Sequence, residues 1–534
     1  MDFLTTLSVS QILERAAALA PRKVAVIDGN RNITYKRLDE MATILAVNLS
    51  ELGFTKGDRV SIYMKNSLEL IIAFYGLQKL GVIVAWINPT YRRSEAEFIL
   101  KNSESRAVFI FREWEGHDYL ASTLEMKEAL PELKSIVVVG GGEGPGIQSF
   151  DELLKKKPRG GFSPSPLDIG RDLSMLIYTS GTTGKPKGAM IAQTQVVQAG
   201  RQYSLGVQAK GEDVFIGFLP MTHSYGCGAI LIQPFLLLSS VVLMDKFEAK
   251  KAFELIEKHK VTLQPAAPAH YILELNHPDR SRYDLTSLRA GLIAGQIAPE
   301  GLITRVEQEM GVYLTSFWGA SEVGPGLGII NPYPSSLEIR EKYIGRPIEG
   351  TKIRVVDPES QKELPDGEIG ELTLSGWHVM KGYWKNSDET AKQMVDGWLF
   401  MGDLVSREKE GHIKIYGRTK DLINRGGFKI YPREVEWLIL GHPKVEQACV
   451  VATPNPVLGE SICACVIPAP DETLTLSELR AFLKDRIAPH KLPDEMCIFD
   501  DFPRLSGGLK IKKFGQGGLS ELALSNENRQ VHRR

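Results

Sequence analysis

The stretch Tyr178-Thr-Ser-Gly-Thr-Thr-Gly-Lys-Pro-Lys-Gly188 is made of residue types that do chemistry rather than fill a core. Its glycines let a backbone come close to a ligand, and its N–H groups, hydroxyls and ammoniums are all donors. A polyphosphate is the ligand class that suits such a donor set. Two familiar phosphate loops are excluded. A Walker loop needs a glycine where Thr179 stands and Ser or Thr where Pro186 stands. No G-x-G-x-x-G follows a predicted strand either. A plain hydrophilic loop seldom orders Thr, Gly and Lys in this way.

The same string resembles the signature of the adenylate-forming superfamily: acyl- and aryl-CoA synthetases, peptide-synthetase adenylation domains and beetle luciferases. The resemblance implies that Thr179, Ser180, Gly181, Thr182, Thr183, Gly184, Lys185 and Lys187 close over the β- and γ-phosphates of ATP. Further motifs extend it over nearly the whole chain. Pro220-Met-Thr-His-Ser-Tyr-Gly226 matches a family spacing that sets His223 beside the carboxylate substrate and the entering thiol. Gly295 and Gln296 match the adenine-side loop, where the family more often has two small residues. Tyr313-Leu-Thr-Ser-Phe-Trp-Gly-Ala-Ser-Glu322 resembles aromatic-Gly-x-Thr-Glu. It implies that Trp318, followed by Gly319, stacks on adenine, that Ser321 keeps the usual hydroxyl, and that Glu322 is the Mg²⁺ ligand. Without the family, Trp318 reads as core and Glu322 as a surface charge. Ser321 does not form a hydrolase elbow, because Val323 stands where glycine is needed.

Later motifs follow suit. Met380-Lys-Gly-Tyr-Trp384 and Asp396-Gly-Trp-Leu-Phe-Met-Gly-Asp403 match, with Asp403 accepting from the ribose hydroxyls and Arg418 also reaching the nucleotide. Lys420 matches a hinge, and Gly426 and Gly427 match the loop lining the thiol tunnel in a second conformation. Pro503-Arg-Leu-Ser-Gly-Gly-Leu-Lys-Ile511 resembles Pro-Arg-Thr-x-x-Gly-Lys with one extra residue. Lys510, followed by Ile511, is the candidate adenylation lysine and Lys512 its competitor; a solvated basic tail would also explain Lys510, Lys512 and Lys513.

These residues need elements to position them. At 534 residues the chain exceeds one core. Strand and helix alternate from the start: a helix over 8–20, a hairpin at Gly29-Asn30, a helix over Tyr35–Leu52, a strand at Arg59–Met64 and a helix over Ser67–Lys79. The apolar run Leu173–Tyr178 predicts a buried strand feeding the phosphate loop. The fold class is α/β: a large N-terminal domain of layered α/β sheets and a small, mobile α+β C-terminal domain. The expected division is 1–417, a hinge at 418–422, and 423–534. The last twenty residues read as a frayed terminus.

Composition bounds the function. Net charge of −1 gives no attraction to nucleic acid. No apolar run spans a membrane and no signal peptide opens the chain. Five cysteines without zinc spacing suggest reduced thiols and a cytoplasmic enzyme, monomer or homodimer. The implied reaction is ATP- and Mg²⁺-dependent: acid and ATP give acyl-adenylate and pyrophosphate, then the thiol of coenzyme A gives acyl-CoA and AMP. His223, Tyr225, Gly226, Gly228, Gly324 and Gly326, with Gln296 and Trp318, are the expected acid-pocket residues. Glycines that leave room among apolar neighbours suit a medium-length, alicyclic or aromatic small-molecule acid. A stand-alone adenylation enzyme loading a carrier protein shares these motifs. A non-enzymatic nucleotide-binding regulator is the alternative of a different class.

Overall fold

The computed structural model describes residues 6–156, 164, 166–179, 186–504 and 511–531. The chain forms two compact units, one of Met1–Lys352 with Leu374–Leu399, the other of Ile353–Thr373 with Phe400–Arg534. Residues 400–417 thus group with the second unit.

The first unit is layered α/β, as the alternation of elements requires. Among the described residues, one seven-stranded sheet runs in the order Lys187–Ala192, Leu173–Thr179, Ile83–Trp86, Arg59–Tyr63, Ala107–Phe111, Ser135–Val139, Ile147–Ser149. Its inner strands pair in parallel and are apolar on both faces, because helices cover both. Val60, Ile62, Val84, Val108 and Ile110 are fully buried. A nine-stranded sheet carries Tyr313–Trp318, Ala290–Ile293, Leu263–Ala266, Val214–Gly217 and Ser240–Leu243 as parallel neighbours. The expected hairpin forms its edge, Val24–Asp28 against Arg31–Thr34. The expected helices lie at Val9–Leu19, Tyr35–Glu51 and Leu68–Lys79, each opened by a Ser or Thr side chain that accepts a backbone N–H.

Strand Leu173–Thr179 is held in place by buried polar groups as well as by apolar packing. Ser174 Oγ and Gln193 Nε2 each donate to Gln78 Oε1 at 2.9 Å, and Gln193 Oε1 accepts from the Val9 N–H at 2.9 Å. Fully satisfied groups of this kind specify one arrangement of a core.

The second unit builds an α+β core on the long hairpin Val445–Asn455 and Gly459–Pro468. Strand Glu495–Ile498 joins it in parallel, and helices Pro432–Leu440 and Leu476–Leu483 bury Val435, Ile439, Leu479 and Leu483. Of the last twenty residues, the described ones, 515–531, are not frayed. Leu519–Ser525 is a helix burying Leu519 and Ala523, and Gln530–Val531 pairs with Glu495–Ile498. Two apolar residues four apart suffice to dock this polar segment on the sheet. Arg529 also donates to Glu495 at 2.9 Å.

Candidate active site

The phosphate-loop motif begins and ends on an antiparallel pair, Leu173–Thr179 and Lys187–Ala192, with Thr179 opposite Lys187. Ser180, Gly181, Thr182, Thr183, Gly184 and Lys185 lie outside the described residues. Segment 379–384 runs alongside the second strand. Met190 N donates to Gly382 O at 2.9 Å, Lys381 N to Met190 O at 2.9 Å and Trp384 N to Gly188 O at 2.8 Å. Gln195 Nε2 donates to the carbonyls of Trp377 and Val379.

Glu322 is buried against this segment. Its carbonyl accepts from Met380 N at 2.8 Å, and its Oε1 lies 2.9 Å from the Tyr383 hydroxyl. Lys187, also buried, pairs with Glu389 at 3.0 Å and stands 4.8 Å from the centre of the Tyr383 ring. Two predicted site residues, Lys187 and Glu322, are therefore tied to one tyrosine that sequence reasoning did not single out. Tyr383 lies inside Met380–Trp384, so the motif itself was the available signal. The donor set suits Mg²⁺: a single carboxylate leaves coordination positions for phosphate oxygens and water. Among the described residues no three His, Cys, Asp or Glu side chains form a closed metal cage.

The adenine-side residues sit at strand ends. Gly295 has φ of +88° and open space where a Cβ would stand; Gln296, beside it, is exposed. Trp318 ends strand Tyr313–Trp318 and is 8% exposed, its ring 3.0 Å from where a Cβ on Gly328 would be. A Cβ on Gly319 would lie 1.7 Å from the Gly326 carbonyl, so only glycine fits.

His223 lies on a turn anchored at both ends. Its N–H donates to Pro220 O at 3.0 Å and its carbonyl accepts from Cys227 N at 2.8 Å. The Tyr225 N–H donates to its Nδ1 at 3.3 Å, which leaves the proton of the neutral ring on Nε2. Asn66, another residue not foreseen, accepts from Met221 N and donates to Leu219 O at 2.8 Å, fixing the turn from the other sheet. Ser321 Oγ donates to Ser224 Oγ at 3.5 Å, bringing two motifs together. A buried π-helix, Cys227–Ile232, follows.

The pocket glycines divide into two kinds. A Cβ on Gly226 would meet Pro220 O at 2.1 Å, and one on Gly228 would meet the Tyr203 ring at 2.3 Å. These two serve close packing and leave no spare room, contrary to the expectation from sequence. Gly324 and Gly326 have φ of +55° and +84°, with nearest neighbours at 3.5 and 3.2 Å. Tyr225 donates to Leu292 O at 2.8 Å, and its ring lies 4.7 Å from Phe317 and 6.2 Å from Tyr203. Burial pushes the hydroxyls of Tyr203 and Tyr225 well above the usual phenol range, so both stay neutral.

In the second unit, Asp403 and Arg418 face one another across paired strands, Arg418 Nε donating to Asp403 Oδ1 at 3.1 Å. Lys420 lies in a single turn, Thr419–Asp421. Gly426 and Gly427, with φ of +59° and +86°, form the exposed two-residue turn between Ile423–Arg425 and Phe428–Ile430, a geometry that glycine adopts freely. Lys510 lies outside the described residues. The residues around it separate the candidate lysines: Arg504 bridges to Ile511, Lys512 Nζ donates to Gln516 O, and Lys513 Nζ pairs with Glu436 at 2.6 Å.

Comparison with known proteins gives this arrangement a family. The AMP-binding enzyme model matches residues 13–384 and the AMP-binding enzyme C-terminal domain model residues 434–508. A medium-chain fatty-acid–CoA ligase of Escherichia coli (strain K12) is 32% identical over 95% of this chain and 89% of its own. A long-chain-fatty-acid–CoA ligase of Bacillus subtilis (strain 168) is 29% identical over 95% and 93%. The anthranilate CoA ligase AuaEII, solved in complex with anthranoyl-AMP, superposes with a TM-score of 0.89 at 26% identity, covering 97% and 98%. Such ligases use ATP, Mg²⁺ and coenzyme A. No helix among the described residues is long and apolar enough to cross a membrane. The chain belongs to the AMP-binding enzyme family and is an ATP-dependent, AMP-forming carboxylate–CoA ligase.

Proposed function

We propose that this ligase activates a medium-length, alicyclic or aromatic monocarboxylic acid. The supporting observation is that Tyr225, whose N–H donates to His223, packs with Tyr203 and Phe317 in a buried aromatic cluster of neutral side chains. Relatives that act on medium-chain acids and on anthranilate support the same range. Gly226 and Gly228 serve close packing, so in this reading the aromatic side chains and not these two glycines limit the acid. Five buried free cysteines fit a reducing compartment, and we take the cytoplasm as the place of action. The protein acts as a monomer or homodimer.

In this reading an oxygen of the carboxylate attacks the α-phosphorus of ATP and pyrophosphate leaves. Charge builds on the phosphate oxygens in that step. Lys510 supplies positive charge to it, and the residues of 179–187 hold the departing pyrophosphate with backbone and side-chain donors. Glu322 holds Mg²⁺, which when bound neutralises phosphate charge. Trp318, Gly319, Gly295, Gln296 and Ser321 bound the adenine side, and Asp403 accepts from the ribose hydroxyls beside Arg418. In the second half-reaction sulfur attacks the acyl carbon, AMP departs and the thioester forms. His223 is held beside the reacting carboxyl, and Gly426 and Gly427 flank the thiol path. The change between half-reactions is assigned to Lys420.

A panel of acids, scored for AMP formed with and without coenzyme A, tests the reading. Turnover with C6–C10, cyclohexyl or benzoic acids and none with acetate is expected. Preference for acetate or for a dicarboxylate overturns it. AMP formation that needs a carrier protein instead of coenzyme A would move the chain to the carrier-loading class.

A further inference from the structure

Tyr383 touches both halves of the phosphate and metal machinery yet has no role in the scheme above. It is 3% exposed. Its hydroxyl lies 2.9 Å from Glu322 Oε1 and 2.8 Å from Gln393 Oε1. A phenol has one proton and cannot donate to both. The ionised carboxylate is the stronger acceptor, so Tyr383 donates to Glu322 and Gln393 turns its amide nitrogen towards the phenol oxygen.

The ring is seated with equal care. The Lys187 ammonium stands 4.8 Å from its centre, within cation–π range, and is held there by Glu389 at 3.0 Å. Glu389 in turn pairs with Lys392 at 2.8 Å. The Tyr383 N–H donates to Thr390 Oγ1 at 2.8 Å, and Tyr383 bridges to Ala189 in the strand that Lys187 opens. One side chain therefore joins the base of the phosphate loop to the buried carboxylate. A carboxylate held through one oxygen cannot rotate freely, and its other oxygen is left for a cation. Partners that hydrogen-bond a metal ligand in this way tune its affinity.

We propose that Tyr383 is a positioning residue for adenylate formation: its hydroxyl orients Glu322 towards the metal, and its ring seats Lys187. This rests on the reading of Glu322 as the Mg²⁺ ligand, and the test separates the two ideas. Tyr383→Phe keeps the ring contacts and removes the proton. Binding of Mn²⁺–ATP, followed by electron paramagnetic resonance without acid or coenzyme A, should weaken about tenfold. The half-saturating Mg²⁺ for acid-dependent pyrophosphate exchange should rise by a similar factor. Thioester formation from supplied acyl-adenylate should keep its rate, which a general packing defect would not allow. Tyr383→Leu should add a rise in KM for ATP, since Lys187 loses its seat. Glu322→Gln is the control. If it weakens Mn²⁺–ATP binding and Tyr383→Phe does not, the proposal is overturned while the metal assignment stands. If Glu322→Gln also binds Mn²⁺–ATP normally, the metal assignment fails and takes the proposal with it.

Discussion

Three lysines within four positions, Lys510, Lys512 and Lys513, could not be ranked from sequence beyond their match to a motif. Their partners rank them. Lys513 is clamped by Glu436 and by the Val450 carbonyl at 3.3 Å, and Lys512 closes a local turn on Gln516. Both ammoniums already have partners, which favours Lys510 for the adenylation role proposed for it. Lys510→Ala should cut pyrophosphate exchange by about two to three decades, the cost of several kcal/mol of charge stabilisation in a dry site. Thioester formation from supplied acyl-adenylate should survive. Lys512→Ala should leave both half-reactions near the parent rate. The reverse pattern would transfer the role to Lys512.

At the scale of elements, the strand and helix alternation was readable because each element carries its own period, and the first three helices also open on a Ser or Thr cap. Helix Leu68–Lys79 and strand Leu173–Thr179 lie within a residue of their expected bounds. What could not be read were pairings between distant segments. Tyr383 meets Glu322 across 61 positions and Asn66 meets Met221 across 155, and no local pattern encodes either. The role of small residues was also hidden. A glycine that leaves space and one that admits a backbone look alike in sequence, and Gly226 proves to be the second kind. Gly226→Ala should cost about 1–3 kcal/mol, because the Cβ meets a carbonyl that cannot swing away. It should also slow thioester formation by displacing His223. Urea denaturation and a thioester assay check this, and a Gly226→Ala variant as stable and active as the parent refutes it. The clamp on Lys513 belongs to the same scale, since it pins the chain after residue 510 to helix Pro432–Leu440 and strand Val445–Asn455. Lys513→Met should destabilise that part by about 1.5–3 kcal/mol, the range for a charge-assisted hydrogen bond. Faster native-state hydrogen exchange at Val450, whose N–H donates to Glu436 at 2.8 Å, is the measurement.

Across the whole molecule, buried titratable groups pull stability in opposite directions with pH. His270 and His378 lie in the first unit, 8% and 0% exposed. Burial lowers each imidazole from 6.5 to about 4. The unfolded chain takes up these protons below pH 6.5 and the fold does not until about pH 4, so both contribute stability at neutral pH that is lost as pH falls through this window. Glu274, fully buried with one oxygen 2.7 Å from Gln264 Nε2, has the opposite sign. Burial raises its carboxyl from 4.5 to about 8. The fold keeps that proton where the unfolded chain releases it, so its contribution is full below pH 4.5 and is lost as pH rises towards 8. Between pH 5 and 7.5 each histidine gains about 2 kcal/mol and Glu274 loses about 3 kcal/mol, so these three groups together leave a net gain of only about 1 kcal/mol. Single variants should unmask the slopes. Glu274→Gln keeps an acceptor for Gln264 and removes the acid, so urea midpoints should rise steeply from pH 5 to 7.5. His270→Asn with His378→Asn should instead fall over the same range. The slopes matter here and not the offsets, since each substitution adds a constant cost of its own. Parallel profiles for the parent and both variants would show that these groups titrate alike in the folded and unfolded chains.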